Sequence, residues 1–212
     1  MKGSSRLVLI GGGGHCKSVL DTLIKLNSYS EIVVTDCNIP VGVRILGCRV
    51  VGHDGMLSQL FGKGYKNAFI TIGSIKSTNK RRDAFVRTKK IGFQFPAIID
   101  PNAVVASSAS IAEGVFIGKN AIVNADVVIG KMAIINTGAI VEHDCQIGEF
   151  THIAVGAVVC GNAVIENNVL IGANAVVIQG VKIGRNSIIG AGSVVIHDVP
   201  ENSTVIRAGG NG

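Results

Sequence analysis

Every sixth residue from Ile99 to Val195 is Ile or Val, seventeen times in succession. Two residues before each stands a small side chain or Val, among them Ala121, Ala133, Ala139, Cys145, Thr151 and Ala157. A period of six matches neither a helical face, which returns every ~3.6 residues, nor an alternating strand. It is the signature of a parallel β-helix, in which short strands and tight turns coil around stacked aliphatic side chains. Three hexapeptides make one triangular coil of ~18 residues, so the run supplies roughly five to six coils. No long insertion interrupts it.

Bulk properties narrow the setting. The chain is 47% hydrophobic and has no Trp, so its core is aliphatic. No apolar run approaches the ~18 residues of a membrane-spanning helix, and no membrane insertion is expected. Residues 1–6 lead into a strand-like run rather than a cleavable signal. The five cysteines are odd in number and lack CxxC spacing, which argues against disulfides and structural zinc and for a reducing cytoplasm. No metal ligand set is expected. The net charge of +6 is unevenly placed. Residues 1–98 hold fifteen Lys/Arg against five Asp/Glu, and residues 99–212 hold five against nine. A basic first half suits a phosphorylated ligand. No aromatic-rich sheet or nucleic-acid motif accompanies it, so nucleic acid is not the expected partner.

The first half, residues 1–98, reads as a Rossmann-like α/β domain with a parallel sheet. Residues 6–10 form an apolar strand, followed by Gly11-Gly12-Gly13-Gly14-His15 and a helical spacing over residues 16–26. Residues 31–35 read as a second strand ending at Asp36. Residues 54–61 read as a short helix, 67–72 as a third strand before Gly73-Ser74, and 80–90 as a basic helix. Strand, glycine loop, helix, strand is the opening of a sheet that binds ligands beyond its carboxyl ends. Gly11 and Gly13 fit the first two positions of a dinucleotide fingerprint, but Cys16 replaces the third Gly. The loop therefore points to a nucleotide-linked ligand held at a helix N-terminus rather than to a redox dinucleotide.

In the β-helix, residues 99–212, the residue before each core position points outward. One face carries Val104, Ile122, Ile140, Val158, Val176 and Val194; another carries Phe116, Ile134, His152, Leu170 and Ile188. Two apolar stripes predict buried contacts between copies, with burial under the first domain as the competing reading, and triangular prisms meeting face to face close as a homotrimer. His152 interrupts one stripe. Nine residues earlier, His143 stands between Glu142 and Asp144 at a turn.

The loop at residues 11–15, the Gly73-Ser74 segment, residues 136–145 and residues 147–153 resemble the NeuD/PglD-type sugar acetyltransferases over nearly the whole chain. The resemblance implies a left-handed β-helix, an acetyl-CoA co-substrate, a homotrimer and a sugar-binding N-terminal domain. It implies His143 as general base, supported by Asp144, and His152, Gly161, Ala173 and Ala191 around acetyl-CoA. It places Gly13, Gly14, His15, Asp36, Gly73, Ser74 and Asn136 at the acceptor. The acceptor of one branch is a UDP-linked 4-amino-4,6-dideoxy sugar, N-acetylated in bacillosamine-type glycan synthesis. Ser74 stands where many relatives have Asn, Cys37 replaces a second acid after Asp36, and the chain ends without the family's Gly-x-Pro-Ala-Lys segment, which bears on CoA affinity.

A neutral histidine takes a proton from an attacking amine or hydroxyl, and an adjacent carboxylate steadies the resulting imidazolium. Glu142 and Asp144 both flank His143, and spacing does not choose between them. A backbone N–H near Gly161 is a candidate oxyanion donor. Cys145 falls at an inward small-residue position and reads as core. Two other readings stand beside N-acetylation: sialic acid O-acetylation of the NeuD type, and a catalytically silent trimeric assembly module.

Overall fold

The protein, seen here in a computed structural model, is described over residues 5–73 and 77–206. It divides into two compact units, Met1–Pro101 and Asn102–Gly212.

The first unit runs β1 (Arg6–Ile10), α1 (Gly14–Leu26), β2 (Glu31–Thr35), β3 (Arg44–Ile45), β4 (Cys48–Gly52), α2 (Leu57–Gly62), β5 (Asn67–Ile70) and α3 (Asn79–Ile91). The strand order is β3-β4-β2-β1-β5. Leu7, Val8, Leu9 and Ile10 are all fully buried, as expected of a continuous apolar run in a strand covered on both faces. β1 pairs with β2 on one side and β5 on the other, both in parallel. Successive crossovers thus leave β1 in opposite directions, which makes its carboxyl end the switch point where such sheets bind ligands. The glycine loop begins there.

The sheet is mixed rather than purely parallel, because β3 pairs antiparallel with β4. The connection is a two-residue turn, Leu46-Gly47, with φ of 44° and 85°. A leucine in the left-handed region is not a turn signal, so this hairpin left no mark in the sequence. The expected helix over 54–61 is a 3-10 turn at Asp54–Met56 running into α2, and the expected strand over 67–72 ends at Ile70.

The second unit is the left-handed parallel β-helix, built from three stacked parallel sheets of two-residue strands. Ile122-Val123 pairs with Ile140-Val141, which pairs with Val158-Val159, each eighteen residues on. From Ile117 to Val195 every sixth-residue Ile or Val is buried, and Ala121, Ala133, Ala139, Cys145, Thr151 and Ala157 between them are buried too. Each such Ile or Val contributes on the order of 1.5–3 kcal/mol relative to exposure. Val105 and Ile111 are only half-buried, because the first coil of a solenoid has a neighbour on one side alone. Among the outward positions Phe116 and Ile134 depart from expectation: each is 2% exposed or less, so the apolar stripe they head is already covered there.

The turns are as regular as the core. From Gly114 to Gly192 every sixth residue has positive φ, filled by Gly, Asn or Asp except at Met132 and Phe150. Gly and short polar side chains tolerate this region; others are strained in it. At Gly130, Gly148, Gly172 and Gly184, each just after a core residue, coils approach so closely that a Cβ has no room: at Gly148 it would lie 2.5 Å from Asn167 N and Glu166 C.

Asn174, exposed at φ 53°, tests the turn rule. Asn174→Val is expected to cost about 1–2 kcal/mol, because a β-branched residue is strained there. Asn174→Gly is expected to stay close to the parent. Chemical denaturation of the three proteins checks this, and equal stability of the Val and Gly variants would remove the turn constraint from the account.

Candidate functional site

In the first unit the loop between β1 and α1 is held from three sides. Gly12 N–H donates to Asp36 Oδ2 at 2.6 Å, while Asp36 Oδ1 accepts from Asn38 N (2.8 Å) and Ile39 N (3.2 Å). Thr71, just past β5, donates its hydroxyl to the carbonyls of Ile10 and Gly11. A Cβ on Gly11 would lie 2.9 Å from Ile72 Cγ1, and one on Gly12 would lie 2.5 Å from Ile39 Cδ1. Gly11, at φ 105° with the Ile72 N only 3.1 Å from where a Cβ would lie, is required by the backbone, whereas Gly12 is crowded by the side-chain tips of Ile39 and Ile45. Gly13 and Gly14 face open space instead. Gly13 caps α1 without a side-chain hydrogen bond, and the first turn of α1 carries no acid. That leaves a helix N-terminus suited to an anion. His15 is half-buried beside it, and Cys16 is fully buried with its thiol pushed up to about 11 by burial. Asp36 thus has a structural task that spacing did not reveal: it clamps the loop. Thr71 was not singled out at all, since a Thr ending a strand carries no distinctive signal. Gly73 is exposed after β5, and Ser74 lies outside the described residues.

In the β-helix, His143 and Asp144 form the two central residues of a turn. Asp144 has φ 60°, a conformation that Asp tolerates. There its Oδ2 lies 2.8 Å from His143 Nδ1. This bond is the main cause of a His143 pKa raised above 6.5, with smaller contributions from the Asp144 and Glu142 charges. Asp144, not Glu142, is therefore the carboxylate that engages the ring. With Nδ1 turned to a carboxylate, the neutral imidazole keeps its lone pair on Nε2. Gly161 lies one coil on, and a Cβ there would sit 2.7 Å from both Nε2 and Cε1 of His143. The ring rests where only glycine leaves room. Both His143 and Asp144 side chains are more than half exposed, so both are open to solvent.

A second group lies on another face. His152 pairs in register with Ile134, and its Nε2 is 3.1 Å from Asn136 Nδ2. The other end of that amide, Oδ1, accepts from Thr137 N at 2.8 Å. Ala173 and Ala191 occupy equivalent turn positions one coil apart, joined through Gly192 N donating to the Ala173 carbonyl at 2.8 Å. Gly172 beside them can hold no Cβ, which would meet Ala191 N at 2.5 Å. The residues thus fall into separate groups: His143, Asp144 and Gly161; Asn136 and His152; Ala173 and Ala191. Cys145 is fully buried, and burial pushes its thiol up to about 11 while Sγ donates to the Cys160 carbonyl. That is core chemistry rather than a nucleophile's.

Titration of His143 by nuclear magnetic resonance is expected to give a midpoint above 6.5 in the parent protein. Asp144→Asn removes the charge that favours the imidazolium, so the midpoint is expected to fall. An unchanged midpoint would mean that Asp144 does not govern the ring.

Residues 6–88 match the family model of the PglD N-terminal domain, and residues 162–197 match that of the bacterial transferase hexapeptide (six repeats). No curated protein sequence matches the chain. Among solved structures it is similar to a histidine-to-alanine mutant of GDP-perosamine N-acetyl transferase from Caulobacter crescentus, in complex with CoA and GDP-perosamine. That match has 34% identity and a TM-score of 0.84 over 94% of this chain and 92% of that one. It is also similar to the acetyltransferase domain of PglB from Neisseria gonorrhoeae in complex with acetyl coenzyme A, with 32% identity and a TM-score of 0.87 over 95% and 96%. WeeI from Acinetobacter baumannii matches at 27% identity and a TM-score of 0.84 over 96% and 97%. With relatives 34% and 32% identical matched almost end to end in both halves, the chain belongs to the PglD-type sugar acetyltransferases of the hexapeptide-repeat superfamily.

Proposed function

We propose that this enzyme transfers the acetyl group of acetyl-CoA to the amine of a nucleotide-linked amino sugar, a UDP-linked 4-amino-4,6-dideoxy sugar of glycan synthesis. The observation that carries the reading is the His143–Asp144 pair, with Nδ1 bonded at 2.8 Å and Nε2 left basic over Gly161. The relative crystallised with CoA and GDP-perosamine supports amine acetylation on a nucleotide sugar.

Acetyl-CoA supplies an acetyl group activated as a thioester. His143 Nε2 takes the proton that the amine loses as its nitrogen bonds to the acetyl carbon. Asp144 keeps the ring oriented and supports the imidazolium, which then returns the proton to the departing sulfur. His152, Gly161, Ala173 and Ala191 are assigned to the donor, and Asn136, Gly73 and Ser74 to the sugar. Gly13, Gly14 and His15 at the α1 N-terminus are assigned to the diphosphate, with Asp36 holding their loop. No metal is assigned a role.

The same reading includes a cytoplasmic homotrimer. Free cysteines, and the absence of a membrane-crossing helix among the described residues, support the location. The outward stripe of Val104, Ile122, Ile140, Val158, Val176 and Val194 supports the assembly: in the single chain none of these is buried, and Val104 and Val194 are 64% and 63% exposed. Ile140→Lys, which places a charge in the middle of the stripe, is expected to dissociate or precipitate the protein. Light scattering that shows a monomeric parent protein would overturn the trimer.

Mass-shift assays with acetyl-CoA and a panel of UDP- and GDP-linked amino sugars, CMP-sialic acid and free sialic acid test the activity. Acetylation of a UDP-amino sugar is expected, with kcat lowered roughly 10²–10⁴-fold in His143→Ala and less in Asp144→Ala. UDP alone is expected to bind saturably, and more weakly in Asp36→Ala. Turnover confined to a GDP-linked sugar would replace the nucleotide, and turnover confined to sialic acid would replace the reaction by O-acetylation. Near-normal turnover in His143→Ala would remove the proposed base.

A further inference from the structure

Two histidines are assigned to the proposed chemistry, and their neighbours differ in one decisive respect. The Asn136 amide is fixed at both ends. Thr137 N–H can only donate, and it lies 2.8 Å from one end, which must therefore be the carbonyl oxygen. The other end is then the NH2 group, and it lies 3.1 Å from His152 Nε2. An amide N–H can only donate as well, so Nε2 must accept and carries no proton. A proton on Nε2 would set two donors against each other in a half-buried position.

We infer that Asn136 is a positioning residue that holds His152 as the neutral Nδ1–H tautomer, which bars His152 from acting as the base and leaves it a hydrogen-bond donor through Nδ1. At His143 a carboxylate accepts from Nδ1, so Nε2 remains basic and the imidazolium is favoured. At His152 an amide donor occupies the nitrogen that a base would use. The division of labour between the rings comes from one atom type: an acceptor oxygen beside one, a donor nitrogen beside the other. Its catalytic meaning rests on the proposed acetyl transfer, whereas the tautomer itself does not.

The test is the ring-nitrogen spectrum of the full-length protein labelled with ¹⁵N-histidine. His152 signals are assigned by their loss in His152→Gln. The parent is expected to show Nε2 in the unprotonated range and Nδ1 in the protonated range. In Asn136→Asp, a carboxylate faces Nε2, and that nitrogen is expected to gain a proton. With the donor geometry lost, kcat is expected to drop about tenfold or more, with a smaller change in KM for acetyl-CoA. Nε2 protonated in the parent, or His152 signals unmoved in Asn136→Asp, would overturn the inference. The parent spectrum decides even if the variant fails to fold. Absence of acetyl transfer alongside an unprotonated Nε2 would defeat the proposed function and leave the tautomer standing.

Discussion

From residue 114 to residue 192 the β-helix depends on a residue in the left-handed region at every sixth position. Two-residue strands are too short to be stable by themselves. They persist because each turn is tight enough to return the chain after six residues, so that Ile and Val stack directly over their counterparts eighteen residues away. The turn and the core are thus one constraint. A positive φ at residues 114 to 192 sets the corners, and buried aliphatic side chains give the corners a reason to close. Thr151 and Ser187 show how a polar residue enters this stack when its hydroxyl finds a backbone carbonyl. Thr151 Oγ1 donates to the Glu166 carbonyl and accepts from Val169 N, and Ser187 Oγ donates to the Pro200 carbonyl. Each is buried and each is satisfied.

The same corners position the proposed base. Asp144 occupies one of these left-handed positions, and its carboxylate reaches back to His143 from it. Gly161, one coil away, supplies the space under the ring. A pair this exposed adds little to folding, since water competes for both partners. What the scaffold supplies is orientation: rigid coils hold the groups so that little ordering is needed when substrates arrive.

Legibility followed periodicity. The β-helix was readable because a repeat of six reports core and turn together over many coils, and β1 and the α1 helix were readable from a buried run and a 3.6-type spacing. The β3–β4 hairpin was not, because Leu46 occupies a backbone state its residue type does not announce. Burial of Phe116 and Ile134 was not, because alternation tells which way a side chain points and not what covers it. At the site, residue types singled out His143, but the choice of Asp144 over Glu142 needed a distance. Asp36 was noticed for a ligand, while its hydrogen bonds to Gly12, Asn38 and Ile39 tie it to the loop.

The glycine loop shows why one motif carries two kinds of requirement. Gly11 is glycine because of its φ of 105° and the backbone of Thr71 and Ile72 beside it, and Gly12 sits against the side-chain tips of Ile39 and Ile45, demands that any tight strand-to-helix turn could make. Gly13 and Gly14 meet nothing within 4 Å, so packing gives no reason for them to be glycine. Gly14, inside the first turn, also weakens the helix, whereas Gly13 at the N-cap is a tolerated residue. An exposed glycine pair at a helix N-terminus with no side-chain cap, in a basic half-chain, fits the anion proposed there. Bare backbone N–H groups there meet an anion more closely than any side chain would allow. The first two glycines therefore shape the turn, and the second two leave its helix N-terminus open, as the proposed diphosphate assignment requires.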